Sequence, residues 1–597
     1  MVEVSDKEAT GAPGTHWRPN VIIPFLPEEV DYFESRVKGF LADQEDPTAF
    51  RAYRLTQGVY GQRQPGNQMF RVKIPLGRLT PDQLAVLGQI ARDYTPRKRG
   101  HITTRQNVQY HFMDLGDTAE VMRLLGESGL TSREACGNTV RNITTCPLAS
   151  VCPDEVFDAT PYAVAYARYL VRHETTQNMP RKWKTAFSGC THDWVISPMH
   201  DFALQAVVRT ENGQERRGFR MLIGGGTSIQ PILAQTLYEF VPVEEFLRVS
   251  EACVRVFNGA DELRKNRMKA RIKVLVNRMG IDAFRELVDK ELEGDWAKGD
   301  YDLAALMDGE EEPVTPPPTW DFAPLPQGDA EFETWRASNV VAQKQPGFAA
   351  VFVNIPLGNL SDEDFFTLAD TARRYAAGIR TTQRQDLVFH WVHQDALYSI
   401  YQELKEKGFA DAGANEFVDV VSCPGTESCS LGITASTSMA SHLWESLKER
   451  KQTDPLVKAI RINISGCPDG CGQHHVGNIG FQGAAMKNKT GQIPSYEVYL
   501  GGSQVHPVRY GTRLKVKVPS KRIDEVIDAI VEHYTSNRRD GEPFNDFLDR
   551  VGAGVYEDVL RPLSEVPELS KDTINYYIDW DNTVLYKVER GEGECAI

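Results

Sequence analysis

The sequence predicts a mixed α+β (α/β) fold that is internally duplicated. Each copy holds a small half-domain and a larger α/β unit, and the copies are related by a pseudo-twofold axis. Three observations carry this. Phe70–Leu84, FRVKIPLGRLTPDQL, is matched by Val351–Phe365, VFVNIPLGNLSDEDF, and Ile102–Phe112, ITTRQNVQYHF, by Arg380–Trp391, RTTQRQDLVFHW. TTCPLASVC at Thr144–Cys152 answers VSCPGTESC at Val421–Cys429, and FSGC at Phe187–Cys190 answers ISGC at Ile464–Cys467; both pairs are 277 positions apart. Met307–Asp329 is acidic and proline-rich, which suits an extended linker because proline is excluded from helix interiors and central strands. A repeat on this scale gives every later motif a twin for comparison.

The elements follow in order. Residues 1–48 are set aside as an N-terminal extension and 49–127 as the first half-domain, where QMFRVKIPL and NVQYHFM read as strands around a helix-like stretch. Residues 128–306 form the first larger unit, 307–329 the linker, and 330–410 the second half-domain, with AAVFVNIPL and DLVFHWV as its strands. Residues 411–550 form the second larger unit and 551–597 a C-terminal extension. Strand, helix, strand in each half-domain is an α+β signature.

Composition bounds the function. With 597 residues, 41% hydrophobic and 25% charged, the chain can bury several cores, about one per 150 residues. A formal charge of -15 excludes nucleic acid as the main partner, though not a local basic pocket. MVEVSDKEAT lacks the basic and apolar regions of a secretory leader, and Cys595 stands one place too late for prenylation. No apolar run is long enough to cross a bilayer. A cytoplasmic monomer without a membrane partner is the expectation, and there clustered cysteines are metal ligands or redox groups.

In the second copy, five residues separate Cys423 from Cys429 and three separate Cys467 from Cys471. Zinc knuckles use narrower first gaps, and a thioredoxin-type pair needs two intervening residues. Four thiolates on two glycine-rich loops suit a cubane iron–sulfur cluster, with backbone N–H groups facing the sulfurs. The first copy has Cys146, Cys152 and Cys190, but Trp194 in the fourth place, so one cluster is expected, in the second copy. IGGGT at Ile223–Thr227 lacks the strand–GxGxxG–helix setting of a nucleotide site. Electrons should therefore come from a separate carrier.

From about Tyr60 to about Phe547 these motifs resemble the siroheme-dependent sulfite and nitrite reductase family, whose cluster signature is C-x5-C with C-x3-C. The resemblance implies ferredoxin-like half-domains and larger cofactor-binding domains. It implies a 4Fe–4S cluster on Cys423, Cys429, Cys467 and Cys471, with Cys471 also the axial ligand of a siroheme. Asp469 departs from the asparagine more usual in this loop. Arg71, Arg141, Lys182 and Lys184 match the family's anion-binding and proton-donating positions. Their counterparts, Phe352, Val418, Ala459 and Arg461, keep one charge among four, which points to one working site across the pseudo-twofold interface. His101, Arg105, Asn107 and Gln109 are assigned to siroheme carboxylates and ring. His111 recurs as His390 and is given a structural role. His474 and His475, either solvent-facing or near the haem, receive no catalytic role.

The implied reaction is six-electron reduction of a small oxyanion with ferredoxin as donor. Lys184, asparagine in plant-type nitrite reductases, favours sulfite over nitrite. Tyr60 and Cys136 match a tyrosine and cysteine joined covalently in certain sulfite reductases. A non-catalytic iron–sulfur carrier would not need the Arg/Lys set, and a corrinoid-biosynthesis relative would not need both lysines.

Overall fold

Side chains of a strand point alternately to its two faces; in Val108–Met113 polar Gln109 and His111 alternate with Val108 and Tyr110, whereas Phe348–Val353 is apolar on both faces. The structure, a computed structural model, describes residues 20–310, 312–591 and 593–594. The leader region at 1–10 and Cys595 lie outside them. The first half-domain sheet runs in the order Val59–Gly61, Gln68–Val72, Val108–Met113, Arg99–Ile102 and then Asn359–Ser361 from the second copy. The second runs Val340–Ala342, Phe348–Val353, Leu387–His393, Gly378–Thr381 and then Arg78–Leu79 from the first copy. The copies thus exchange one edge strand each.

The repeated IPLG explains the exchange. Leu76 and Leu357 sit at φ 63° and 55°, followed by Gly77 and Gly358 at φ 68° and 72°, a left-handed turn that throws the next residues outward. A Cβ on Gly77 would lie 2.7 Å from Thr381 O, and one on Gly358 2.4 Å from Ile102 O. Glycine is required by the conformation and by the approach of the other copy's backbone. Helices Pro81–Tyr94 and Asp362–Tyr375 follow, each opened by a capping box, Thr80 with Gln83 and Ser361 with Asp364. They cross closely at Gly88, where a Cβ would meet that of Phe365 at 2.9 Å. Phe70, Val72, Tyr110, Val351, Phe365 and Phe389 share one core. Full burial of a side chain such as Phe365 contributes about 1.5–3 kcal/mol.

Each larger unit is a five-stranded sheet of one topology. The first runs Gln235–Pro242, Gln214–Ile223, Phe202–Glu211, Trp183–Ser188, Val140–Thr145; the second runs Thr512–Pro519, Gln492–Leu500, Ile479–Lys487, Ile462–Ser465, Val421–Ser422. In both, the last three strands are parallel and the others antiparallel. The fold is therefore mixed α+β and internally duplicated, as expected. Helix Pro27–Leu41 lays Val30, Phe33 and Val37 into the half-domain core, and helix Val555–Ser564 lays Tyr556 and Leu560 into the second larger core. No helix among the described residues is long and apolar enough to cross a membrane.

Candidate functional site

Strand periodicity aims one row of side chains at a cavity of about 270 Å³ lying between the copies. Met69, Arg71, His101, Asn107, Gln109 and His111 line it, whereas the intervening Phe70, Val72, Ile102, Val108 and Tyr110 fill the core. Gln109 pairs in register with Arg71 on one side and His101 on the other, so these three stand in a line across adjacent strands. From the first larger unit come Arg141, Lys182 and Lys184, the two lysines flanking the fully buried Trp183.

Cys423, Cys429, Cys467 and Cys471 line the same cavity. Among the described residues no three His, Cys, Asp or Glu side chains converge on a single-ion position; the thiols instead frame a space. Gly466 N–H donates to Cys423 Sγ at 3.2 Å, the contact that stabilises a thiolate. Burial raises the Cys429 thiol to about 12 and the Cys467 thiol well above its ordinary value. Burial and Cys423 also raise Cys471, against the pull of Lys182 and Lys184. Metal binding would displace these protons. In the first copy Cys146, Cys152 and Cys190 pack in an apolar cluster with Trp194 and Phe352, and the Cys190 thiol hydrogen-bonds the other two.

The cations are held in place. Ala135 O accepts from Arg71 Nη1 at 3.2 Å and from Arg141 Nη1 at 3.1 Å, which fixes the two guanidiniums side by side. Arg71 Nη1 also lies 3.3 Å from Cys136 Sγ, and Cys136 packs with Tyr60, Leu55 and Met69. Burial, then Arg181 and Arg271, bring the Lys182 ammonium down to about 8. Burial and Lys182 push Lys184 well below the usual lysine range. Arg105, lowered to about 9 by burial, donates to Asn142 O at 2.5 Å while its Nε is buried without a partner. Asn107 Oδ1 accepts from Ile74 N–H at 3.3 Å.

The histidines have unequal surroundings. His101 lines the cavity, but Nδ1 meets Asn359 Oδ1 and Nε2 meets Gln385 Nε2, both at 3.2 Å. Burial lowers it to about 4, so it is a neutral strut between the copies and supplies no cation at pH 7. His111, given a structural role because His390 repeats it, lines the cavity with both ring nitrogens buried and unpartnered. Its twin is engaged with Pro147 O at 2.7 Å. The recurrence reflected the strand, and the environments differ. His474 and His475 are buried against each other, not solvent-facing, with ring centroids 3.8 Å apart.

Several residues at the site gave no motif. Asp201, fully buried, takes Arg271 in a two-pronged pair at 2.8 and 2.7 Å and accepts from Lys184 N–H at 2.9 Å. Lys273 clamps the IGGGT loop through Thr227 O at 2.5 Å, and Thr227 lines the cavity. The C-terminal segment reaches back to the mouth, where Glu594 accepts from Arg54 and from Gly61 N–H, both at 2.7 Å. Arg63 ties this segment to the cluster loop, donating to Cys429 O at 3.2 Å, Gly432 O at 2.7 Å and Glu589 O at 2.8 Å.

Four cysteines that line one cavity with Arg71, Arg141, Lys182 and Lys184 at a duplicated interface suit the class of iron–sulfur oxidoreductases. Residues 136–295 and 413–567 match the nitrite and sulphite reductase 4Fe-4S domain, and 60–128 and 341–407 match the nitrite/sulfite reductase ferredoxin-like half domain. The chain belongs to the nitrite and sulfite reductase family. It is 30% identical over 543 residues to a sulfite reductase (ferredoxin) of Mycobacterium tuberculosis, covering 87% of this chain and 91% of that protein. It is 26% identical to an assimilatory ferredoxin-dependent nitrite reductase of Haloferax mediterranei, covering 92% and 93%. The solved structure of the Mycobacterium tuberculosis NirA protein superposes with a TM-score of 0.74 at 28% identity, over 90% of this chain and 98% of that one.

Proposed function

We propose that the protein reduces sulfite to sulfide with ferredoxin as electron donor, using a 4Fe–4S cluster that Cys423, Cys429, Cys467 and Cys471 would hold and a siroheme that Cys471 would also help to hold. The observation that carries this reading is that Arg71, Arg141, Lys182 and Lys184 line the same cavity as Cys471. The residues present suit a polycarboxylate macrocycle: Arg105 Nε and both nitrogens of His111 are buried and unpartnered, and Gln109 and Asn107 stand beside them. When bound, siroheme supplies an iron that accepts the anion and delivers electrons to it.

The chain's own side chains do the rest. Arg71 and Arg141, fixed on one carbonyl, orient anion oxygens through their planar forks. Lys182, near 8, holds a proton it can give up close to neutral pH, the property of a useful general acid. Lys184 places a second amine in the cavity; burial and Lys182 disfavour its proton, and a doubly charged anion beside it would restore that proton, which favours sulfite. The cavity walls limit bulk water around these groups and so strengthen their electrostatics.

Nitrite reduction to ammonia is the second reading, favoured by the coverage of the Haloferax relative. A carrier without catalysis leaves the four cations unexplained, and a corrinoid-biosynthesis role leaves the lysine pair unexplained. The reading has the enzyme acting as a cytoplasmic monomer. The test is turnover of sulfite and nitrite side by side with reduced ferredoxin. Sulfite is expected to have the higher kcat/KM, and Lys184→Asn to lower the sulfite-to-nitrite ratio about tenfold, or about 1.4 kcal/mol. A native preference for nitrite overturns the substrate assignment.

A further inference from the structure

A second, smaller cavity of about 120 Å³ is lined by pseudo-twofold counterparts of large-cavity residues. Where the large cavity has Arg71 and Cys471, this one has Phe352 and Trp194, their rings stacked at 6.4 Å and 29°. The aromatic pair fills the space a macrocycle would need. Two cations remain on its wall: Arg384, the twin of Arg105, and Arg461, the twin of Lys184.

Their surroundings are unequal. Arg384 is paired, its Nε donating to Asp419 Oδ2 at 2.6 Å and its Nη2 to Asp419 O. Arg461 has no carboxylate of its own among the described residues. Its side chain reaches Gln504 Oε1 at 3.4 Å, and the same oxygen accepts from Arg384 Nη1 at 3.3 Å. Two guanidiniums therefore converge on one neutral oxygen, with Asp419 the carboxylate that balances the first. Asp386 adds no firm negative charge, because burial and Asp419 push its carboxyl well above the usual range. Burial and Arg384 lower Arg461 to about 10, which leaves it charged at neutral pH. A half-buried cation with no counter-charge of its own is costly, and the polar side chains beside it in this cavity, Gln383, Asn415 and Asn463, are all neutral.

We propose that this second cavity binds a small inorganic anion, chloride or a compact oxyanion, on the Arg461 guanidinium. The site stands apart from the catalytic reading and survives its failure. None of the cations of the large cavity lines it, although Gln473 lines both, and its occupant would be structural, balancing charge where the second copy has lost its macrocycle pocket.

The test soaks crystals of the holoenzyme in bromide and maps anomalous scattering. A peak within hydrogen-bonding distance of Arg461 is expected. It should persist in Arg461→Lys and lose about tenfold or more in affinity in Arg461→Met, the loss that follows removal of charge-assisted hydrogen bonds. In solution, replacing gluconate by chloride at fixed ionic strength should raise the Tm of the wild type and of Arg461→Lys, but not of Arg461→Met, and leave sulfite and nitrite turnover unchanged. No bromide peak in the wild-type cavity overturns the proposal, as does a peak that Arg461→Met leaves intact.

Discussion

Gln106 and Gln385 occupy twin positions, and exchanging each for leucine should separate stability from cluster binding. Gln106 Nε2 donates to Thr381 O at 2.7 Å, and its Oε1 accepts from Thr145 N–H at 3.0 Å. Gln385 Nε2 donates to Ile102 O at 3.0 Å, and its Oε1 accepts from Ser422 N–H at 2.9 Å. Both side chains are buried and each staples one copy to the other. Leucine leaves one donor and one acceptor unsatisfied in each case, and in Gln385→Leu it also removes the contact of His101 Nε2. At about 1–3 kcal/mol for each stranded group, the cost is about 2–4 kcal/mol after partial relaxation. The chemical consequences differ, because Thr145 precedes Cys146 in the copy without a full ligand set and Ser422 precedes Cys423 in the copy with one. Urea unfolding should therefore place both variants at similarly lowered midpoints. Iron and acid-labile sulfide should fall in Gln385→Leu and stay near wild type in Gln106→Leu. Equal cluster loss in both, or none in either, refutes the reasoning that these glutamines position the cysteine loops separately.

Lys182 carries its proton below about 8 and loses it above, so a rate that uses that proton should fall on the basic side with a midpoint near 8; a kcat profile flat to about pH 10 removes Lys182 as donor. Replacing Cys146 and Cys190 together by alanine should leave iron content unchanged, whereas Cys429→Ala should abolish the cluster absorbance. Iron loss in the first variant would relocate the cluster. Tyr60 and Cys136, packed in one cluster, should give an intact mass lighter by two hydrogen atoms if they are joined as a thioether, and Cys136→Ser should restore the unmodified mass. A native mass equal to that of the unmodified chain ends that proposal.

Much of the architecture was legible because its causes are local. The IPLG repeat marked the duplication, and the same local sequence makes the same left-handed turn at Leu76–Gly77 and Leu357–Gly358. TPDQ and SDED, part of the same repeat, form a capping box in each copy. The exchange of Arg78–Leu79 and Asn359–Ser361 between sheets was not legible, because an edge strand carries no mark of which sheet it will join. His101 and His111 show the same limit at the site. Strand alternation puts both on the cavity face, but Asn359 and Gln385 engage one and leave the other open.

By itself the sequence determined the duplication, the spacing of the four cysteines, the loss of the fourth at Trp194, and the four cations of one copy, of which the twin keeps only Arg461. Those are facts of order and composition, written along one dimension. Tertiary structure decided which of them meet. It brought Arg71, Lys182 and Cys471 to one cavity, set Asp201 and Arg271 behind Lys184, and returned Glu594 to Arg54 across almost the whole chain. A contact between residues so distant leaves no periodicity or motif to read. It exists because the folded backbone removes both partners from water together, and a buried charge must then find its counter-charge wherever the fold has placed it.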